Sequence, residues 1–102
     1  MAIYVDNLTP CIPNENWRYH ESCHLFSDSD NVASQVSELI GFACKINLKL
    51  DWLQKDPKLP HFDLNKNMRQ KAVEGGAVTC NRNKVKETML NNLKKEKRDA
   101  VV

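Results

Sequence analysis

The stretch Glu21-Ser22-Cys23-His24-Leu25-Phe26-Ser27-Asp28-Ser29-Asp30 decides how this 102-residue chain reads. In its first half Cys23, Leu25 and Phe26 are apolar, and Ser22 and His24 alternate with Cys23 and Leu25, the period of a buried strand. Its second half is a cluster of short oxygen side chains, which accept hydrogen bonds from the free N–H groups of a helix start. An apolar pattern of helical period follows at once. A strand feeding a capped helix, with polar His24 on one strand face, is where α/β proteins often place ligand chemistry, so a pocket is expected here.

Downstream, Val32, Val36, Leu39, Ile40, Ala43 and Ile46 mark an amphipathic helix from about Asp30 to Lys45, widened by Phe42. Gly41 is a weak helix position, tolerated if the helix packs tightly on the sheet. Asn47 stands where a left-handed cap would end it. Leu48, Leu50 and Trp52 then alternate with Lys49 and Asp51, which predicts a strand over 48–53. Lys55 to Pro60, with two prolines, is a surface loop. His61-Phe62-Asp63-Leu64, if extended, puts His61 and Asp63 on one face and Phe62 and Leu64 on the other. Leu64, Met68, Ala72 and Val73 mark a second helix, with Asn65 as its cap and Gly75-Gly76 as its stop. Ala77 to Cys80 reads as a final strand. Asn83 is placed to cap a third helix with Val85, Met89, Leu90 and Leu93 as its stripe, and the pattern fades into a basic, fraying tail over 94–102.

Upstream, Ile3-Tyr4-Val5-Asp6 is a first strand closed by a carboxylate, which is equally a turn-forming Asp. Asn7 to Arg18, with Pro10 and Pro13, reads as a loop. Trp17, Tyr19 and His20 bring rings to the edge of the second strand. The fold class is α/β: one domain over 1–93, with a mixed sheet of about four short strands (near 2–6, 21–26, 48–53 and 77–80) flanked by three helices.

Composition narrows the function classes. A hydrophobic share of 41% and a charged share of 27% suit a soluble globular protein, and no apolar run approaches the roughly 20 residues that span a bilayer. Met1 to Asp6 lacks the character of a signal peptide, so a cytoplasmic location is expected, without a membrane partner. Cys11, Cys23, Cys44 and Cys80 form no Cys-x-x-Cys pair and no zinc-finger spacing, which favours free, buried thiols over a bridge or metal framework. The net charge of +2 hides an asymmetry, with the basic residues from Arg82 onward outnumbering the acidic ones. A solvated helix ending in cations explains that segment. Nucleic-acid binding is the less favoured reading, because no aromatic residue lies among those bases. Self-association through the narrow stripe of the third helix is a further option.

The polar residues that carry chemistry are Asp6, Ser22, His24, His61, Asp63 and Arg69. Two imidazoles and two carboxylates suit a transition metal, but they are scattered without a His-x₃-His or His-Glu-x-x-His grouping, and no metal site is expected. The same groups suit acid–base work, with His24 and His61 moving protons, Asp63 orienting a ring and Arg69 holding phosphate oxygens. Without a reaction, Ser22, His24, His61 and Arg69 would hydrogen-bond a phosphorylated ligand while Trp17, Tyr19 or Trp52 stacks on a base. Each histidine is equally well explained as a satisfied partner of backbone groups. Gly75-Gly76 precedes a strand rather than a helix, no phosphate loop or Gly-x-Ser-x-Gly elbow exists, and no cofactor is expected.

In order and spacing over roughly Ala2 to Val78 the chain resembles a small family of bacterial and phage proteins classed as a domain of unknown function. The resemblance rests on Ile3-Tyr4-Val5-Asp6, Ser22-Cys23-His24-Leu25-Phe26-Ser27-Asp28, Glu38-Leu39 through Phe42-Ala43, Trp52-Leu53-Gln54, His61-Phe62-Asp63-Leu64, Arg69 and Gly76-Ala77-Val78. It departs at Asn47, where Gly is usual, and in a longer loop around Cys11. It implies that His24, His61, Asp63 and Arg69 share one site, and it implies a bacterial or phage origin. The leading expectation is a protein that binds a phosphorylated, nucleotide-like small molecule and so sequesters a host signalling nucleotide. Asp6 and Trp52 are second-rank members of that site. The alternatives are a phosphodiesterase-type hydrolase using His24, His61 and Asp63, and a nucleic-acid or protein-interaction module acting through the basic third helix.

Overall fold

The computed structural model describes residues 2–100, the side chains of 96–100 excepted. The elements run β1 (Ile3–Val5), β2 (Thr9–Pro10), β3 (Glu21–Ser27), α1 (Val32–Lys45), a 3₁₀ turn (Leu50–Trp52), β4 (Leu53–Gln54), β5 (His61–Leu64), α2 (Lys66–Glu74), β6 (Val78–Thr79) and α3 (Arg82–Ala100). The sheet is mixed, in the order β4-β5-β3-β1-β6: β6 joins β1 in parallel and the other pairs are antiparallel. The short β2 adds to the start of β3, with Thr9 opposite Ser22. The α/β class with three helices is as expected, and Ile3–Val5, Glu21–Ser27 and Val78–Thr79 fall within or beside the expected strands.

One strand is elsewhere. The stretch 48–53 yields only the two residues of β4, because Leu48 belongs to the end of α1. Asn47 adopts φ 61°. The Asn47 N–H then bonds to the Cys44 carbonyl and the Leu48 N–H to that of Ala43, the paired bonds of a Schellman cap. Leu48 is thereby buried as the cap's apolar contact, and Leu50 and Trp52 coil into the 3₁₀ turn, both exposed. His61–Leu64 supplies the missing strand. α2 ends with the same device: Gly76, at φ 109°, bonds to Val73, and Ala77 to Ala72.

The helix starts follow amide caps. Asn31 Oδ1 accepts from the Ser34 N–H and Asn65 Oδ1 from the Met68 N–H. α3 begins two residues earlier than expected: Asn81, not Asn83, accepts the first N–H bonds, from Asn83 and Lys84. The helix is continuous through Ala100, so the basic segment from Lys94 to there extends it, and residues 101–102 lie outside the described residues.

The two sheet faces are covered differently. On one, Val5, Cys23, Leu25, Phe62 and Leu64 pack against Leu39 and Ala43 of α1 and Ala72 of α2. On the other, Phe26, with Tyr4 stacked on it at 5.7 Å, packs against Leu59 and against Val85 and Met89 of α3. Leu90 and Leu93 are not in that contact: they are exposed, while Thr88 and Asn92 are buried. α3 thus covers only the Tyr4–Phe26 half of its face. Beyond Phe26 the residues on that face turn polar.

The oxygen cluster after β3 is engaged in structure. Ser27 and Ser29 both donate to Glu38 Oε2 on α1. Asp28 accepts from the Ala2 N–H at 3.1 Å and pairs with Lys84 at 3.3 Å. Gln35 and Asn92 join α1 to α3 by reciprocal amide bonds of 2.7 and 3.0 Å. Gly41 faces outward with open space around it, so close packing on the sheet is not what accounts for it. The four cysteines are free, and only Cys23 is buried; Cys44 is exposed, contrary to expectation. Among the described residues no helix is long and apolar enough to cross a membrane.

Candidate functional site

The polar half-face is built by strand register. His24 on β3 lies opposite Asp63 on β5, and His61 lies two residues before Asp63, so period two sets all three on one face. Gln54 of β4 pairs with His61 and extends the row. Asp6, just past β1, bonds its N–H to the His24 carbonyl and thereby enters the same row. The apolar alternates, Val5, Cys23, Phe62 and Leu64, face the opposite core. Burial of those residues is what forces the polar set outward, since a one-residue slip would invert both faces.

His24 and His61 are diagonal neighbours across β3 and β5, and their rings meet edge to face with centroids 5.2 Å apart. Each Nδ1 is held by an acceptor. Asp6 Oδ2 lies 2.8 Å from His24 Nδ1, and the Leu59 carbonyl oxygen lies 2.8 Å from His61 Nδ1. Asp6 Oδ1 also accepts the His24 backbone N–H at 2.6 Å. With both Nδ1 atoms donating, Nε2 is the free lone-pair atom of each neutral ring. His61 Nε2 lies 3.5 Å from Asp63 Oδ1.

The electrostatics follow from that pairing. Burial pulls the His61 pKa down, but the Asp63 hydrogen bond, the Leu59 carbonyl and the charge of Asp63 outweigh it and leave it above 6.5. Asp63 is lowered from 3.8, chiefly by the hydrogen bond from His61, against a smaller opposing effect of burial. Burial pushes the Cys23 thiol up to about 12, reinforced by the nearby Asp6 charge, so it is an inert core group rather than a nucleophile.

Beside this cluster opens a cleft of about 780 Å³, whose wall includes Ser22, Asp63, Trp52, Trp17, Tyr19 and Arg18. Its far side is the excursion between β2 and β3, expected as a loop. Pro10 there pairs with Glu21 at the sheet edge, and an Asn14–Trp17 bridge closes the turn. Trp17 and Tyr19 meet edge on at 5.1 Å. A smaller cleft of about 320 Å³ lies over Asp28, Ser29 and Asp30 beside α3. The larger hollow is therefore at the opposite end of β3 from the oxygen cluster.

Of the residues expected to form a site, Asp6, His24, His61 and Asp63 come together, and Ser22 and Trp52 share the adjoining cleft wall with Asp63. Arg69 reaches the group through the main chain, its Nε donating to the Asp6 carbonyl at 2.9 Å. Gln54, quoted from the sequence only within the family resemblance, and Arg18 were not expected at the site; the register of β4 on β5 and the cleft wall bring them to it. In α3, Lys84 is paired with Asp28 and Glu87 and lies over the Tyr4 ring, which leaves it unsuited to phosphate contacts.

The family model described as Protein of unknown function (DUF4031) matches residues 3–92. No curated protein and no solved structure matches. With nearly the whole domain matched, including every residue of the polar half-face, this chain belongs to the DUF4031 family of proteins of unknown function.

Proposed function

We propose that this protein binds a phosphorylated, nucleotide-like small molecule on the uncovered half of its sheet. The supporting observation is the double membership of Asp63, which belongs both to the imidazole cluster and to the wall of an aromatic cleft. Trp52, Trp17 and Tyr19 line that cleft and offer rings on which a base would stack, a contact tolerant of base identity. Arg18 on that wall, and the His61 ring when protonated, supply donors for phosphate oxygens. His61, with its raised pKa, carries a proton further into the neutral range than an ordinary histidine. In a bacterial or phage-infected cytoplasm such a protein would sequester a signalling nucleotide. Calorimetry against a panel of mono-, di- and cyclic nucleotides tests this. The reading expects saturable heat for at least one member, weakened by Trp52→Ala and by His61→Gln; no heat for any member with folded protein contradicts it.

A hydrolytic reading is favoured by one feature, the Asp6 carboxylate on His24 Nδ1. That contact fixes the tautomer whose Nε2 accepts a proton, as a general base must. Chromatography of each ligand after incubation separates the readings: intact ligand supports binding alone, and a cleaved phosphodiester supports hydrolysis.

A further inference from the structure

We infer that His24, His61 and Asp63 form a binding site for a divalent first-row transition ion, with Asp6 as the group that orients His24. One donor atom from each of the three lies within 4.8 Å of the others. An ion at the centre of such a triangle is at most about 2.8 Å from each donor, so shifts under about 1 Å bring all three to the roughly 2.0–2.2 Å of zinc–nitrogen and zinc–oxygen bonds. The three residues sit on paired strands β3 and β5, and the half-exposed His24 and Asp63 side chains have room for such rotations.

The hydrogen bonds around the rings point the same way. A metal-bound histidine donates its other ring N–H to a carboxylate or a carbonyl, which fixes the tautomer and raises ligand basicity. Here the Asp6 carboxylate and the Leu59 carbonyl play those parts at 2.8 Å each. Both rings therefore offer Nε2, and His61 Nε2 faces a carboxylate oxygen at 3.5 Å. An ion there would take the place of the proton that His61 otherwise shares with Asp63. Two imidazoles and one carboxylate on one side of an ion leave positions open, the pattern of non-haem iron and of catalytic zinc centres. Imidazole and carboxylate donors without a thiolate favour Zn²⁺, Mn²⁺ or Fe²⁺ over Cu⁺.

This site stands on its own residues and does not depend on the nucleotide reading. Metal-stripped protein titrated with Zn²⁺ and Co²⁺, in phosphate-free buffer without nucleotide, tests it alone. The expected result is one equivalent bound, a Co²⁺ spectrum of nitrogen and oxygen ligation, and affinity about tenfold or more weaker in His61→Gln and in Asp63→Asn, with Cys44→Ser unchanged. Circular dichroism confirms that both variants are folded. The inference is overturned by folded protein that takes up neither ion, by binding that neither substitution weakens, or by an intense thiolate charge-transfer band placing Co²⁺ on a cysteine.

Discussion

Asp6 holds His24 twice, through the backbone N–H at 2.6 Å and through ring Nδ1 at 2.8 Å. One carboxylate thus joins the end of β1 to the middle of β3 and sets the ring's orientation and tautomer together. Asp6→Ala leaves the His24 N–H without its acceptor and is expected to cost about 1–3 kcal/mol of stability. Asp6→Asn keeps an acceptor of the same shape and should lose less. Urea unfolding of the two variants checks the order.

The His61–Asp63 contact makes stability depend on pH in a defined direction. His61 has a folded pKa above 6.5, so its contribution is complete below that value and is lost as pH rises through the raised one. Asp63 has a folded pKa below 3.8, so its contribution is present above 3.8 and is lost as pH falls through the lowered one. The pair therefore stabilises most fully between 3.8 and 6.5. The Tm difference between wild type and Asp63→Asn should be larger at about pH 5.5 than at about pH 8.5. An NMR titration should place the His61 midpoint above 6.5 and show it falling in Asp63→Asn.

Gln35 and Asn92 fasten α1 to α3 with buried reciprocal amides, and Asn92 Nδ2 also donates to the Lys58 carbonyl at 2.9 Å. Asn92→Ala strips partners from a fully buried Gln35 amide and should destabilise by about 1–3 kcal/mol. The double variant Gln35→Leu/Asn92→Leu should fall short of the sum of the Gln35→Leu and Asn92→Leu losses, because neither amide is then left facing a missing partner, although the Ser29 and Lys58 carbonyls still lose their donors. Thermal unfolding of the four proteins measures the coupling.

Gly41 lies mid-helix on α1 with nothing within 4 Å of where a Cβ would stand. Gly41→Ala should therefore stabilise, by roughly 0.5–1 kcal/mol, seen as a raised Tm. A lowered Tm would mean that the outward face of α1 meets something.

Much of this architecture was legible because local chemistry and burial agreed. The alternation of Cys23 and Leu25 with Ser22 and His24, and of Phe62 and Leu64 with His61 and Asp63, placed each polar set on the face opposite the core. Asn47, Asn65 and Gly76 marked helix ends correctly because a left-handed φ and an amide cap are properties of single residues. What failed needed knowledge of partners. The 48–53 stretch alternates like a strand, yet Leu48 is taken by the cap at Asn47. Gln35 sits inside an apolar stripe because Asn92, far along the chain, satisfies it. That His24, His61 and Asp63 lie side by side was likewise beyond local reading, because register between β3 and β5 is what gathers them. The role of Asp6 could not be read locally either, since its imidazole partner lies on another strand.

If a ligand is met on the uncovered half of the sheet, the rings of His24, His61, Trp17 and Trp52 must sense it. Imidazole NMR of His24 and His61, with the indole resonances of Trp17 and Trp52, tests it most directly in a titration with the nucleotide panel. A binding nucleotide is expected to shift both imidazoles and at least one indole together, saturating at a common concentration. A nucleotide that binds while these rings stay unmoved, and that perturbs only α3, would contradict it.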